Sequence, residues 1–253
     1  MFVRVASPGD GRQWPIVVPE RSPVCGRVTL VSPPGRLARL LQATLASGLD
    51  AEARPSWNVG PQQRLFAVSE RDGVRVLDAY RWGLLPSWAK DTTIANRLFN
   101  ARAETVAEKP SFRSAFAKRP CAIPIDGFYE WDHREGRHRQ PHYFTRVDGE
   151  PIVLAGLYEQ WGSVGEPVAT CTVITTSPGP DMDEIHDRMP AVLELSDVET
   201  WLDVADHDHA ERLSLLRPAR RGTLTHYGVS PAVGSVHHNG PSLIEPVELP
   251  PLV

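Results

Sequence analysis

Short runs of hydrophobic and β-branched residues recur along most of the chain. The first run, CGRVTLV at 25–31, has the composition of a β-strand. Further runs of this kind, separated by Gly, Pro, Asp and Ser, are RLFAVSE, RVLDAYRWG, CAIPIDGFYEW, HYFTRV, PIVLAGLYEQW and CTVITT. The DGE sequence at 148–150 predicts a hairpin turn between two strands. Connections of this length predict mainly antiparallel pairing.

Helical spacing of apolar residues is less frequent. In PPGRLARLLQATLA at 33–46 the leucines repeat with the period of a helix that follows the first strand. Ser196 and Glu199 fit the N-cap and third position of a capping box in SDVETWLD. The remaining helical segments are FRSAFAK at 112–118 and AERLSLL at 210–216. Because strands dominate, the sequence predicts a single α+β domain with a few helices.

The composition restricts the class of protein. Of the 253 residues, 41% are hydrophobic and 23% are charged, which is typical of soluble globular proteins. No apolar run approaches the roughly 18 residues that span a bilayer, and the first 24 residues lack the apolar stretch of a secretory signal. We therefore expect a cytoplasmic protein without a membrane partner. The formal charge of -4 does not by itself indicate a nucleic-acid partner.

Cys25 lies at the boundary between two kinds of sequence. Residues 1–24 are rich in Pro, Gly and charge, so we expect this leader to be disordered or absent from the mature protein, with the domain at 25–253. Cys25 itself could be a nucleophile or a small buried hydrophobe. Cys121 and Cys171 lie in apolar runs and are predicted to be core residues. Three widely spaced cysteines are typical of a reducing compartment and form no disulfide framework.

A basic cluster at 100–119 stands out in this acidic protein. It has five basic and two acidic residues, and Arg102 and Arg113 are among the basic ones. Upstream, Trp82 and Trp88 lie close to cationic residues. Indole rings interleaved with cations can stack on unpaired bases and hold phosphates. The pattern is also compatible with core tryptophans beneath a solvated, charged helix, which composition alone favours.

Two further residues could transfer protons. Glu130, in the aromatic run DGFYEW, could be partly desolvated with a raised pKa, or it could be an ordinary surface glutamate. His186, in EIHDRMP, has carboxylates nearby in sequence that could orient its ring, although exposed loop histidines are common. The histidine clusters at 207–209 and 237–238 lack third and fourth ligands at zinc spacing. We therefore predict no metal and no cofactor.

A series of longer motifs runs in order from Cys25 to Pro246. The chain resembles the SOS response-associated peptidase (SRAP) family in these motifs, and the resemblance implies an α+β fold of curved, mainly antiparallel, barrel-like sheets around a positively charged DNA groove. The motifs are CGR at 25–27, PSWNVGPQQ at 55–63, RWGLLPSWAKD at 81–91, NARAETV at 100–106, FRSAF at 112–116, CAIPIDGFYEW at 121–131, AGLYEQW at 155–161, TCTVITTSP at 170–178, IHDRMPAVL at 185–193 and VSPAVGSVHHNGPSLIEP at 229–246.

The resemblance also implies a reaction with single-stranded DNA that contains abasic sites. As an N-terminal residue, Cys25 would offer an α-amine with a pKa of about 7.7–8.0 and a thiol with a pKa of about 8.5. The amine would form a Schiff base with the sugar aldehyde, and the thiol would close a thiazolidine intramolecularly. By resemblance, Asn100 orients the cysteine and the open sugar, Glu130 moves protons, and His186 assists imine chemistry and ring opening.

The DNA groove that the family implies would grip phosphates and stack bases. We expect a monomer, because a protein that threads onto a single strand needs no two-fold axis. The residues of the expected groove are Arg27, Pro61, Trp82 or Trp88, Arg102, Arg113 and Trp131.

One departure from the family concerns the N-terminus. Members of this family normally begin Met-Cys-Gly-Arg, whereas 24 residues precede Cys25 here, and a nitrogen held in a peptide bond cannot form an imine. Translation could start at Val24, which we favour, or the leader could be removed by the domain itself or by another protease. Two other functions remain as alternatives: an N-terminal-nucleophile peptidase or amidohydrolase, and a non-covalent reader of single-stranded or modified DNA.

Overall fold

The runs of β-branched and aromatic residues form strands, as predicted. The computed structural model describes residues 25–132, 140–162, 167–206 and 208–248, and the predicted leader at 1–24 lies outside these ranges. The strands are β1 (Val28–Leu30), β2 (Thr44–Leu45), β3 (Ser56–Val59), β4 (Arg64–Arg71), β5 (Val74–Trp82), β6 (Asn100–Arg102), β7 (Pro120–Ile125), β8 (Gly127–Trp131), β9 (Pro141–Arg146), β10 (Ile152–Trp161), β11 (Val168–Thr176), β12 (Met189–Pro190), β13 (Val192–Leu193) and β14 (Leu224–Gly228).

Five of the strands close into a barrel. The order β11-β10-β7-β4-β5 is antiparallel, and β5 returns to pair with β11 in parallel, through Thr170↔Arg81 and Cys171↔Trp82. Every residue of β7 is buried, as expected for a strand enclosed on both faces. Cys121 and Cys171 lie in this core, which confirms their predicted place. The expectation of an α+β fold with mainly antiparallel, barrel-like sheets is therefore confirmed.

A second sheet, in the order β14-β9-β8-β1-β3, packs beside the barrel. The predicted hairpin at 148–150 is wrong, because β9 belongs to this sheet and β10 belongs to the barrel. Both edges of β9 are already paired, with β8 on one side and β14 on the other. The chain does turn here, where Asp148 accepts hydrogen bonds from Arg146 and from the backbone of Glu150. This turn passes the chain from one sheet to the other.

The helices are short and flank the sheets. The first predicted helix ends earlier than expected, because Gln42 adopts a φ of +52° and Thr44–Leu45 pairs with β5 as a strand. Ser196 is not an N-cap, since a 3-10 turn over Leu195–Asp197 precedes the next helix. No helix in the described ranges is long and apolar enough to cross a membrane. The helices are α1 (Pro34–Leu40), α2 (Leu49–Glu52), α3 (Arg113–Lys118), α4 (Val198–Leu202) and α5 (His209–Ser214).

Candidate functional site

Strand pairing brings Cys25 to Glu130. β1 and β8 are antiparallel with Val28 opposite Phe128, so the chain just before Val28 runs alongside the residues just after Phe128. The backbone N–H of Cys25 donates a hydrogen bond to Oε1 of Glu130. Both residues are fully buried. Cys25 also has a φ of +47°, which is uncommon for a residue with a side chain.

The environment of Glu130 favours its neutral form. The pKa of this carboxyl is raised to about 8, chiefly by burial, against the lowering effect of the N–H groups of Cys25 and Trp131 and with a smaller increase from the negative charge of Asp187. Within the described part of the chain, the second oxygen, Oε2, is buried and has no hydrogen-bond partner. A carboxyl with a pKa near neutrality can both accept and donate a proton at physiological pH, which is the property of a general acid–base group.

The thiol of Cys25 is disfavoured as an anion. Burial raises its pKa well above the ordinary value, and the charge of Glu130 raises it further. The backbone nitrogen of Cys25 is the group that contacts the carboxyl of Glu130.

His186 is a buried residue in the loop between β11 and β12, whose Asp187 acts electrostatically on Glu130. Its side chain is almost enclosed, and Nδ1 accepts a hydrogen bond of 3.1 Å from the backbone N–H of Arg188. In the neutral ring this places the proton on Nε2. In the protonated ring, Nδ1 can instead donate to the Asp187 carboxylate, 3.0 Å away. Since Asp187 also acts on the pKa of Glu130, the loop is electrostatically coupled to the buried carboxyl.

Asn100 and Arg102 lie on β6, beside the same strand that anchors the His186 loop. β6 pairs in parallel with β11, with Asn100 opposite Val173 and Arg102 opposite Thr175. Arg188 donates a hydrogen bond of 2.7 Å to the carbonyl oxygen of Thr175. The structure therefore brings the half-buried Asn100 and the exposed Arg102 to the end of β11 where the loop is held.

Sequence reasoning did not single out two charged residues that hold this loop in place. Arg188 donates to both carboxylate oxygens of Glu104, at 2.5 and 3.0 Å. This bidentate pair fixes the loop against the turn that follows β6. Arg188 lies two residues after His186 in the motif IHDRMPAVL. This short distance in sequence from a candidate acid–base residue was the signal available.

The structure distinguishes the two candidate tryptophans. Trp82 is completely buried and its indole N–H donates to the carbonyl of Phe99, so its ring packs in the core and presents no surface to a base. Trp88 is 54% exposed and its indole N–H donates to the carbonyl of Pro110. Arg113 is exposed at the start of α3, three residues beyond Pro110. An accessible ring and an accessible cation are therefore linked through one loop.

The other predicted groove residues differ in their surroundings. Pro61 is half-buried in the loop between β3 and β4, and Trp131 is half-buried at the end of β8, directly after Glu130. The guanidinium of Arg27 donates to Oδ1 of Asn58 and to the carbonyl oxygens of residues 233 and 234. Arg27 is therefore already bonded within the protein.

No group of three or more His, Cys, Asp or Glu side chains in the described ranges is arranged to hold a metal ion.

Together these features define a class of α+β barrel proteins in which a buried carboxyl contacts the backbone nitrogen of the cysteine that leads into the first strand. Comparison with known sequences agrees. The sequence model of the SOS response associated peptidase (SRAP) family matches residues 24–236, and the chain belongs to this family.

Several relatives and solved structures are similar to the chain. It is 39% identical over 224 residues to the abasic site processing protein YoqW of Bacillus subtilis, covering 88% of this chain and 99% of the relative. It is 34% identical over 229 residues to the abasic site processing protein HMCES of Gallus gallus, covering 78% of this chain and 67% of the relative. A protein from Bacteroides thetaiotaomicron, known from a crystal structure, is 28% identical in sequence and superposes with a TM-score of 0.79. The match covers 88% of this chain and 100% of the Bacteroides chain.

Proposed function

We propose that this protein processes abasic sites in single-stranded DNA by forming a covalent thiazolidine between Cys25 and the aldehyde of the ring-opened sugar. The observation that carries the proposal is the hydrogen bond from the Cys25 backbone nitrogen to the buried carboxyl of Glu130, whose pKa is raised to about 8. A free amine at that position would have an acid–base group in direct contact. The relatives in Bacillus subtilis and Gallus gallus are named abasic site processing proteins, which supports abasic sites as the substrate.

The reaction proceeds without a redox step. Glu130 removes a proton from the α-ammonium of Cys25, and the free amine adds to the aldehyde carbon to give a carbinolamine. The carboxylic acid then protonates the departing hydroxyl, which leaves as water, and the regenerated carboxylate takes the proton from the iminium nitrogen, so that a neutral imine remains. The thiol of Cys25 adds to the imine carbon, its proton passes to the ring nitrogen, and the five-membered ring closes. One water is released overall, and reversal requires the same proton transfers in the opposite order.

The remaining site residues have supporting roles in this proposal. Asn100 orients Cys25 and the open sugar from β6, and the buried side chain of His186 assists imine formation and ring opening. Arg102, Arg113 and Trp88 are exposed and supply phosphate and base contacts.

Pro61 and Trp131 line the same groove in this proposal, and both are half-buried. Trp131 directly follows Glu130 in β8, so its ring lies on the opposite face of the strand from the carboxyl. We assign Trp82 to the core, because it is fully buried.

The chemistry requires that Cys25 be the first residue of the active form. The same hydrogen bond supports self-cleavage before Cys25 as one route to that form. The thiol would give its proton to the Glu130 carboxylate as the sulfur attacks the carbonyl of Val24, the carboxylic acid would return that proton to the departing Cys25 nitrogen, and water would hydrolyse the resulting thioester. Mass spectrometry of the purified wild type and of Glu130→Gln tests this route. We expect a chain that begins at Cys25 in the wild type and not in the variant.

Gel electrophoresis under denaturing conditions tests the covalent reaction. The full chain and a chain in which Met directly precedes Cys25 are incubated with a single strand that carries one abasic site. We expect a shifted band from the shorter chain, its loss in Cys25→Ala, and its retention in the core variant Cys121→Ala. Salt-sensitive binding without an adduct would favour a non-covalent reader. Turnover of an amide without an adduct would favour an amidohydrolase.

A further inference from the structure

After β14 the chain crosses back over the second sheet as a segment that we call the C-terminal strap, residues 230–239. A short 3-10 helix, Pro231–Gly234, begins the strap, and the hydroxyl of Ser230 caps it by accepting from the N–H of Ala232. At its far end, Oδ1 of Asn239 accepts a hydrogen bond of 2.8 Å from the backbone N–H of Trp57 in β3. The strap is therefore hydrogen-bonded to β3, the last strand of the second sheet, which pairs with β1.

Asn58 is the central contact between the strap and the sheet. Its side chain is only 2% exposed. The amide nitrogen Nδ2 lies within hydrogen-bond distance of three strap carbonyls, those of Ser235 and His238 at 2.9 Å and that of Val233 at 3.3 Å. The amide oxygen Oδ1 accepts from Nη1 of Arg27 at 2.9 Å. One buried amide thus connects the strap to the residue that follows Cys25-Gly26.

Arg27 completes the connection. Its Nη1 also donates to the carbonyl of Val233 at 3.0 Å, and its Nη2 donates to the carbonyl of Gly234 at 3.1 Å. Charge-assisted hydrogen bonds of this kind are stronger than neutral ones and hold a planar group in one orientation. Burial lowers the pKa of Arg27, which agrees with a cation taken out of water to serve an internal role.

The same residues also adjoin the second reacting group. The backbone N–H of Tyr129 donates to the carbonyl of Arg27 at 2.9 Å, and Tyr129 directly precedes Glu130. The hydroxyl of Tyr129 donates to the carbonyl of Trp57 at 2.7 Å, next to Asn58 in β3. The network therefore touches the chain two residues after Cys25 and one residue before Glu130.

We propose that Asn58, acting through Arg27 and the C-terminal strap, is a positioning residue that holds the Cys25 nitrogen against Glu130. This inference rests on the proposed function. Neither Asn58 nor the strap has a group in the reaction, so their effect is on the geometry of the two residues that do. An error of about 1 Å in the placement of reacting groups costs on the order of 100-fold in rate.

Two variants and one matched control separate positioning from DNA binding. Asn58→Ala removes both the bond to Arg27 and the bonds to the strap. Asn58→Asp keeps the acceptor for Arg27 and loses the N–H donors to the strap. The control Asn239→Ala removes a bond between the strap and β3 that does not involve Arg27.

The measured quantities are the rate of adduct formation at saturating abasic single strand and the affinity for the same strand carrying a tetrahydrofuran analogue, which has no aldehyde. For Asn58→Ala we expect a rate about 10- to 100-fold lower with unchanged affinity. We expect an intermediate rate for Asn58→Asp and a rate within about 2-fold of wild type for Asn239→Ala. An unchanged rate in both Asn58 variants, or an equal loss of rate and affinity, would overturn the positioning role.

Hydrogen exchange of the full chain gives a readout that does not depend on DNA. In Asn58→Ala, the peptide covering residues 25–30 should exchange faster than in wild type and in Asn239→Ala, while peptides from β7 should be unchanged. If the wild type forms no adduct, the proposed function fails, and this exchange measurement still decides the positioning role. Unchanged exchange at 25–30 would contradict it.

Discussion

Replacing Glu130 with glutamine tests whether the buried carboxyl is neutral in the folded protein. Burial raises the pKa of Glu130 from 4.5 to about 8. At a pH between these two pKa values, Glu130 has lost its proton in the unfolded chain and keeps it in the folded protein. The free energy of unfolding therefore falls as the pH rises through this range. A pKa shift from 4.5 to about 8, at about 1.36 kcal/mol per pH unit, corresponds to about 5 kcal/mol. Glutamine does not ionise, and its amide oxygen can still accept the Cys25 N–H.

Denaturant unfolding of the full chain from pH 4 to pH 9 measures this contribution. The free energy of unfolding of Glu130→Gln minus that of wild type should be constant below pH about 4.5, grow by several kcal/mol up to about pH 8, and then level off. The exposed residue Glu245 provides a control through Glu245→Gln, for which we expect no comparable growth. A difference for Glu130→Gln that stays flat across the whole range would show that the carboxyl ionises as it does in the unfolded chain, and would refute the reasoning.

Three further predictions concern the DNA contacts and the sheet. Trp88→Ala should weaken single-strand binding by about 1–3 kcal/mol without lowering the melting temperature, whereas Trp82→Ala should destabilise the fold by about 3–5 kcal/mol, and fluorescence titration with thermal unfolding distinguishes the two. Arg102→Gln should reduce the salt dependence of binding by about 0.7 in the log–log slope with no base preference, whereas Arg27→Gln should leave the slope unchanged because its guanidinium is bonded to protein carbonyls; equal slope changes would contradict this assignment. Gly127→Ala should destabilise the protein by about 1–3 kcal/mol because the added Cβ meets the Tyr143 ring, and an unchanged unfolding midpoint would show that the ring moves aside freely.

The elements predicted correctly are those whose signal is local. The apolar runs became strands because β-branched residues pack well on a pleated surface, and the segment at 112–118 became α3 because its apolar residues share one face. The predicted turn at 148–150 also exists, but its strands do not pair with each other. Which partner a strand takes depends on the edges left open by distant segments, here β8 and β14, and the turn sequence carries no information about them.

The same limit applies to the candidate site. Alternation along DGFYEW left the direction of Glu130 undecided, and its burial results from the pairing of β8 with β1 and β9. Trp82 and Trp88 have similar neighbours in sequence, yet one completes a barrel strand and the other lies beyond it in a loop. The role of Asn58 could not be predicted from the sequence, because the carbonyls that its amide nitrogen bonds lie about 175 to 180 positions away. No local pattern encodes such partners.

In the proposed reaction, the burial of Glu130 and Cys25 would also impose an order on the two nucleophiles of Cys25. Burial disfavours the thiolate, and the charge of an ionised Glu130 disfavours it further, so the thiol does not act first as an anion. The amine, once freed, would lie in contact with a carboxyl that can take its proton, so imine formation precedes addition of sulfur. Imine formation makes the former aldehyde carbon an electrophilic centre, bonded to the nitrogen of the same residue that carries the thiol. The neutral thiol can then add to it and transfer its proton in the same step, so a free thiolate is never required. A buried cysteine that would be a poor nucleophile alone is thereby competent for ring closure.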